Sequence, residues 1–263
     1  MRESGQPAAG AVMDSDKHVC RNPDFAPAAS EDILAGAQLL RRAFLAAPAL
    51  SANRGSIIIG SDAGDPPSLL INHGVAYRSI TLPDGQRSIT DIILPTDIVG
   101  IDHGLLARCN HEIVAGSLFG YQLLTGTQMQ ELMRDPRIAI RALALTTELR
   151  WRADKHLAAI TRLDARGRIA WMIVDIFERL RRSGLISQAS FNLPLTQDQI
   201  ADYLGITMVH VSRTFRRLRE ERLVLVDRHV AIILDLDRLR RAAAGLPVDP
   251  PQAAESKNRL IET

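Results

Sequence analysis

The chain is poor in cysteine. Cys20 and Cys109 are the only two in 263 residues, which excludes a disulfide framework and any zinc or iron–sulfur site built on four cysteines of one chain. No apolar run approaches the length that spans a bilayer. The N-terminal stretch MRESGQPAAGAVMDSDKHVC lacks the apolar core of a secretory leader. An excess of one charge is missing too: 32 Lys and Arg stand against 30 Asp and Glu, a formal net charge of +2. Total charge therefore favours neither nucleic acid nor an acidic partner; only its distribution can. What is present is an ordinary globular composition, 46% hydrophobic and 24% charged. The length suits one or two domains with a real core. The expectation is a cytoplasmic protein with no membrane partner.

Residues 1–30 are rich in Ala, Pro, Gly and Asp without period and read as a flexible arm. A short helix is expected next, capped by Ser30, with Glu31 and Asp32 in its first turn and Ile33, Leu34, Ala37, Leu40 and Phe44 as its apolar stripe. From about 53 to 126 short apolar runs alternate with turn signals, among them Asp65-Pro66-Pro67 and Pro83-Asp84-Gly85. That texture predicts a small antiparallel barrel or jelly roll, with a loop-rich α+β domain as the alternative. From Pro136 the text is helical to Leu163. Ile138, Ala142, Leu145, Leu149, Arg152, His156, Ala159 and Leu163 recur at steps of four and three. Two helices can share such a 3.5-residue seam, so Ile138, Ala142, Leu145, Leu149 and His156 are the expected dimerisation residues; the alternative is a helix packed on its own barrel. Asp164 can cap a further helix that Gly184 closes.

The informative segment is LTQDQIADYLGITMVHVSRTFRRLREERLV, residues 195–224. Thr196 can cap one short helix, Gly205 permits a tight turn, and Thr207 can cap a second helix with Val211, Phe215 and Leu218 inward. Ala201, Gly205 and Val211 are small or aliphatic at the spacing that lets two helices cross steeply, the grammar of a helix-turn-helix. The second helix carries Arg213, Arg216, Arg217 and Arg219 before the first acid, Glu220. A nearly neutral chain thus concentrates positive charge on one face, as a phosphate-binding surface does. LVLV and VAIIL, around Asp227-Arg228-His229, read as a trailing β-hairpin.

Three strings resemble the Crp/Fnr superfamily of bacterial transcription regulators, and they occur in its order: LLINHGVAYRSITLPDGQRSITDIILPTDIVG, LDARGRIAWMIVDIF and LTQDQIADYLGITMVHVSRTFRRL. The resemblance covers residues 50–242 and implies an α+β chain divided in five. A 1–30 arm leads to a cyclic-nucleotide-binding-like β-roll sensor domain at 31–135 and a dimerisation helix at 136–163. A winged helix-turn-helix at 164–245 and a flexible tail at 246–263 follow. It further implies a non-enzymatic homodimer that binds a palindromic site in double-stranded DNA, with RNA polymerase as a further partner. Val209, His210, Ser212 and Arg213 are the expected base contacts, and Thr196, Gln197, Thr207, Arg216 and Arg217 the expected phosphate contacts. Val209 stands where the family commonly has a glutamate and can offer only an apolar contact, such as to a thymine methyl.

The candidate effector pocket also departs from the family. Ile101 follows PTDIVG where cyclic-AMP-binding members place a glutamate. By residue count, His111-Glu112 falls on their Arg-Ser pair, so Glu112 would repel a cyclic phosphate; Arg108 could compensate if a loop shifted the register. With two cysteines in place of four, no iron–sulfur cluster is expected. His73, His103 and His111 read as surface imidazoles rather than haem ligands, and no cofactor or metal is assigned. A regulator of the same fold gated by a cyclic nucleotide or another small ligand is the alternative. A metal-dependent cupin-like enzyme fused to a DNA-binding module, using His103, His111 and Glu112, is the remote one, because the spacing of cupin ligands is missing.

Overall fold

The structure is a computed structural model that describes residues 26–61, 63–103 and 109–244. Residues 1–25 of the expected arm, the expected 246–263 tail, Cys20 and Arg108 lie outside the described residues.

Helix α1 spans Ala26–Ala46. It therefore begins before Ser30, which lies inside the helix rather than capping it. Ala28 and Ala29 are strong helix formers and Pro27 suits a first turn, so the chain coils earlier than an apolar period alone indicates. Leu40 and Phe44 are fully buried, whereas Leu34 is exposed. Gly36 explains the close approach of α1 to the long helix: a Cβ there would stand 2.0 Å from the Arg137 carbonyl oxygen.

The β-roll follows as β1 (Ala49–Ala52), β2 (Ile57–Ile59), β3 (Ser68–His73), β4 (Ala76–Thr81), β5 (Arg87–Ile93), β6 (Ile98–Val99), β7 (Glu112–Ala115) and β8 (Phe119–Leu124). These strands form two four-stranded sheets, in the orders β1-β8-β3-β6 and β2-β7-β4-β5. All pairings are antiparallel. Ile59, Leu69, Ile71, Ala76, Ile93, Val99, Ile113 and Phe119 fill the space between the sheets. Gly85, with φ 83°, closes the β4–β5 hairpin, as the Pro-Asp-Gly signal predicts.

Helix α2 (Gly126–Leu132) leads to the long helix α3 (Pro136–Arg162), which Asp135 caps with Pro136 in the first turn. Helix α4 (Ala165–Arg182) is capped by Asp164. It ends in a Schellman motif, with Gly184 at φ 68° and the amides of Leu185 and Gly184 bonded to Leu180 and Arg181. Residues 171–180 are buried throughout, so α4 is the core of the C-terminal half. Around it lie β9 (Ser190–Asn192), α5 (Gln197–Leu204), α6 (Met208–Glu220), β10 (Val224–Asp227), β11 (Val230–Ile233) and α7 (Leu236–Ala242). The sheet order there is β10-β11-β9.

The expected seam of α3 is occupied within the chain. Ile138, Ala142 and Leu145 pack with Leu40, Phe44, Leu70, Ile101 and Met129. His156 is buried beside Trp171 and Tyr203, Arg152 pairs with acids of the β-roll, and Leu149 is half-buried. The alternative reading, a helix packed on its own barrel, describes these side chains. The opposite face leaves Ile140, Leu143 and Leu157 exposed at 37%, 68% and 56%.

Candidate nucleic-acid interface

Thr196 and Gln199 form a reciprocal cap at the start of α5. The Gln199 amide donates to Thr196 Oγ1 at 3.1 Å, and the Thr196 amide to Gln199 Oε1 at 2.9 Å. Gly205 ends α5 in the left-handed region at φ 60° and ψ 42°, where a side chain would be strained. Thr207 caps α6, its Oγ1 accepting from the His210 amide at 3.3 Å. Arg168 of α4, which sequence reasoning missed, holds the turn in place. Its Nη1 donates to the carbonyls of Leu204 and Gly205 at 2.9 and 3.2 Å, and its Nε to that of Leu163 at 2.9 Å. The inner face of α6 is Val211, Thr214 and Leu218; Phe215 is only half-buried at its margin.

The outer face of α6 is free. Val209, His210, Ser212, Arg213, Arg216, Arg217 and Arg219 are all exposed, so the expected base and phosphate contacts of this helix share the solvent side. Arg213, Arg216 and Arg219 make no ion pair among the described residues, whereas Arg217 Nε bonds Glu221 Oε1 at 2.8 Å. Glu221 also binds Arg166, and the Arg166 hydrogen bond, ahead of that from Arg217, holds its carboxyl below the usual range. Arg217 is therefore a more neutralised cation than Arg216. The Thr196 and Thr207 hydroxyls are engaged in capping, and His210 Nδ1 lies 2.9 Å from Thr207 Oγ1. Gln197 opens α5 on the exposed side.

The hairpin turn adds a cation. Asp227 pairs with Val230, so Arg228 and His229 alone form the turn, both left-handed at φ 42° and 67°. A two-residue turn of this hand usually carries Asn-Gly; here it carries Arg-His, with both side chains exposed at the hairpin tip.

The expected effector residues do not form a common pocket. Ile101 is sealed in the core beneath α1, and Glu112 is half-buried opposite Ser79 at the start of β7. His103 and His111 are buried rather than surface imidazoles, because the chain turns inward on both sides of the undescribed residues 104–108; His73 is exposed as expected. Burial, then the charge of Arg78 and the neighbouring His103, pushes His111 down to about 3. Burial likewise lowers His103 and raises the Cys109 thiol. Two cavities lie elsewhere. One, of about 270 Å³, is lined by residues of α3, α4 and 96–98; the other, of about 450 Å³, lies between Asn72–Val75 and the hairpin domain.

A half-buried ion-pair network joins the two halves. Asp97 accepts from Arg179 at 2.6 Å and Arg152 at 3.2 Å, and Arg152 also reaches Asp91 at 3.2 Å. Burial alone would raise the Asp97 carboxyl, but Arg179 and then Arg152 outweigh it and hold it below its ordinary value. Arg87 of β5 pairs with Asp202 of α5 at 2.6 Å. The first helix of the motif is thus tied to the β-roll through Arg87 and to the long helix through His156 and Tyr203.

Comparison with known proteins agrees with this architecture. Residues 167–242 match the Crp-like helix-turn-helix domain. The transcriptional activator protein FnrL of Cereibacter sphaeroides is 30% identical over 198 residues, which cover 66% of this chain and 74% of that protein. The nitrogen fixation regulation protein FixK of Rhizobium meliloti is 35% identical over 162 residues, 60% of this chain and 70% of that protein. The structure of FixK2 from Bradyrhizobium japonicum shares the fold, with a TM-score of 0.67 at 23% identity, covering 74% of this chain and 96% of that one.

Proposed function

This chain belongs to the Crp/Fnr family of DNA-binding transcription regulators, and on that premise we propose that it reads a palindromic promoter site as a homodimer, with no cyclic nucleotide or iron–sulfur cluster as gate. The observation that carries this reading is the outer face of α6. Three unpaired arginines and the exposed Val209 and Ser212 lie opposite a buried Val211–Thr214–Leu218 face. In this reading Arg213 reads guanine bidentately, Val209 meets a thymine methyl, and His210 and Ser212 contact neighbouring base edges. Arg216 and Arg228 contact phosphate, supported by Gln197, by Arg217 and by backbone amides at the Thr196 and Thr207 caps.

Dimerisation uses the outward face of α3. Ile140, Leu143, Thr147, Asp154 and Leu157 repeat at intervals of three, four or seven, the period of a two-helix seam, and three of them are large exposed aliphatics. RNA polymerase is the further protein partner, the chain works in the cytoplasm, and it catalyses no reaction. Independence from cyclic nucleotides is supported by the residues at the candidate pocket. Ile101 is core, and Glu112 would repel an anion. Gel-shift titration with and without cyclic AMP, alongside calorimetric titration of the nucleotide, tests this. The expectation is equal DNA affinity in both and no saturable heat; micromolar binding of cyclic AMP or cyclic GMP would overturn it.

A further inference from the structure

The segment after β6 and the start of β7 bring three metal-ligating side chains to one point inside the β-roll. His103 Nε2 lies 3.1 Å from His111 Nε2 and 3.7 Å from Cys109 Sγ. All three donor atoms fall within 4.8 Å of one another, and all three residues are buried. We propose that His103, Cys109 and His111 bind one borderline-soft first-row metal ion, zinc foremost, through two imidazole nitrogens and a thiolate.

Two of the three spacings match what such an ion requires, and the third, within 4.8 Å, would close by up to about 1 Å on binding. Bonds of about 2.0–2.1 Å to nitrogen and 2.3 Å to sulfur at tetrahedral angles put two nitrogens about 3.3 Å apart and nitrogen about 3.6 Å from sulfur. The surroundings orient the ligands as well. Asn110 Oδ1 lies 3.1 Å from His111 Nδ1 and can accept its proton, which leaves the Nε2 lone pair for the ion. The Pro67 carbonyl faces the His103 ring as a backbone acceptor, the outer contact that would orient a ligand bound through Nε2. Gly100, at φ 81°, makes room for the His103 ring; a Cβ there would stand 2.9 Å from its Nδ1.

The charges and protons balance. The Cys109 thiol donates to the His111 carbonyl at 3.0 Å; on coordination that proton leaves to solvent as the sulfur–metal bond forms, and the proton that His103 Nε2 shares with His111 moves to His103 Nδ1. A divalent ion with one thiolate keeps a single positive charge, and the nearby Arg78 and Asp102 are of opposite sign. Three protein ligands leave a fourth position for water or a small molecule. Haem does not fit between the imidazoles, because 3.1 Å is less than one van der Waals contact of about 3.5 Å. The sequence offered His103 and His111 only as a remote set with Glu112, and Cys109, with five residues between it and His103, was not joined to them.

The test uses the full chain, stripped with a chelator, then titrated with zinc against a chromophoric competitor and separately with cobalt. One equivalent of zinc per chain is expected, with a thiolate-to-cobalt charge-transfer band and the intense visible bands of a tetrahedral cobalt site. Cys109→Ser should abolish the charge-transfer band and weaken zinc by at least about 100-fold, more than an outer-shell change would. His111→Gln should weaken zinc comparably but keep the band, and His73→Gln should change neither. Should a variant fail to fold, alkylation of Cys109 in the wild type still decides, since zinc must protect the thiol. Substoichiometric zinc, a cobalt spectrum without the thiolate band, or equal zinc affinity in folded Cys109→Ser would overturn the proposal.

Discussion

His156 Nε2 of the long helix donates to the backbone carbonyl of Tyr203 in α5 at 2.7 Å, and the two rings stack with centroids 4.1 Å apart. This contact carries the position of α3 directly to the first helix of the DNA-binding motif. Trp171 of α4 lies parallel to the imidazole at 5.8 Å. Whatever turns or shifts α3 therefore turns the recognition unit with it.

The junction makes stability depend on pH. Burial holds the His156 imidazole below its ordinary value. Above about pH 6.5 the side chain is neutral in both folded and unfolded chains, and its contribution is complete. As pH falls below that, the unfolded chain takes up a proton that the folded one refuses until its lower pKa, so stability is lost. His156→Gln retains a donor but does not titrate. Urea unfolding at about pH 7.5 and about pH 5.5 should show a fall in wild-type stability, up to about 1 kcal/mol of it absent in the variant.

Arg168→Ala removes three hydrogen bonds to the carbonyls of Leu163, Leu204 and Gly205. The expected cost is about 1–3 kcal/mol of unfolding free energy, since a buried acceptor loses its donor. DNA affinity should fall by the same factor for specific and random sequences, because Arg168 sets the turn without facing DNA. Thermal melting and competitive gel shifts check both parts.

The two faces of α3 separate association from folding. Leu143→Glu should give a folded monomer with weak DNA binding. Leu145→Glu places a carboxylate in the core beside Phe44 and Ile138 and should prevent stable folding, a change on the order of 4 kcal/mol or more. Sedimentation and circular dichroism of the two variants distinguish them.

The sequence could not choose between those faces. Ile138, Ala142 and Leu145 repeat with the same period as Ile140, Leu143 and Thr147, one or two residues out of phase, and periodicity alone does not say which stripe meets a helix of the same chain. The decisive partner was α1, whose Leu40 and Phe44 cover the first stripe and whose alanine-rich start resembled a flexible arm. By contrast, the caps at Thr196, Thr207 and Asp164 and the left-handed Gly205 were legible, because each depends on local backbone chemistry. Arg168 and the His103–Cys109–His111 cluster were not, since both depend on chain segments that only the tertiary fold brings together.

The arginines of α6 should divide by role. Arg213→Ala should cost about 1–3 kcal/mol of binding and relax selectivity at one base pair of each half-site. Arg216→Ala should weaken all sequences alike and lower the salt slope by about 0.9 for each phosphate no longer neutralised. Arg217→Ala should move that slope less, because Glu221 already neutralises it. Equal weakening on specific and random DNA for Arg213→Ala would contradict its base-reading role.

Helix α6 should read a two-fold symmetric site with no added effector. Selection from a random-site DNA library by the purified full chain, with no cyclic nucleotide present, measures this. The predicted result is enrichment of inverted half-sites centred about 34 Å apart, one turn of DNA, and its disappearance in Leu143→Glu. Enrichment only after cyclic AMP is added, or of a single unsymmetrical half-site, would contradict recognition by an effector-free dimer.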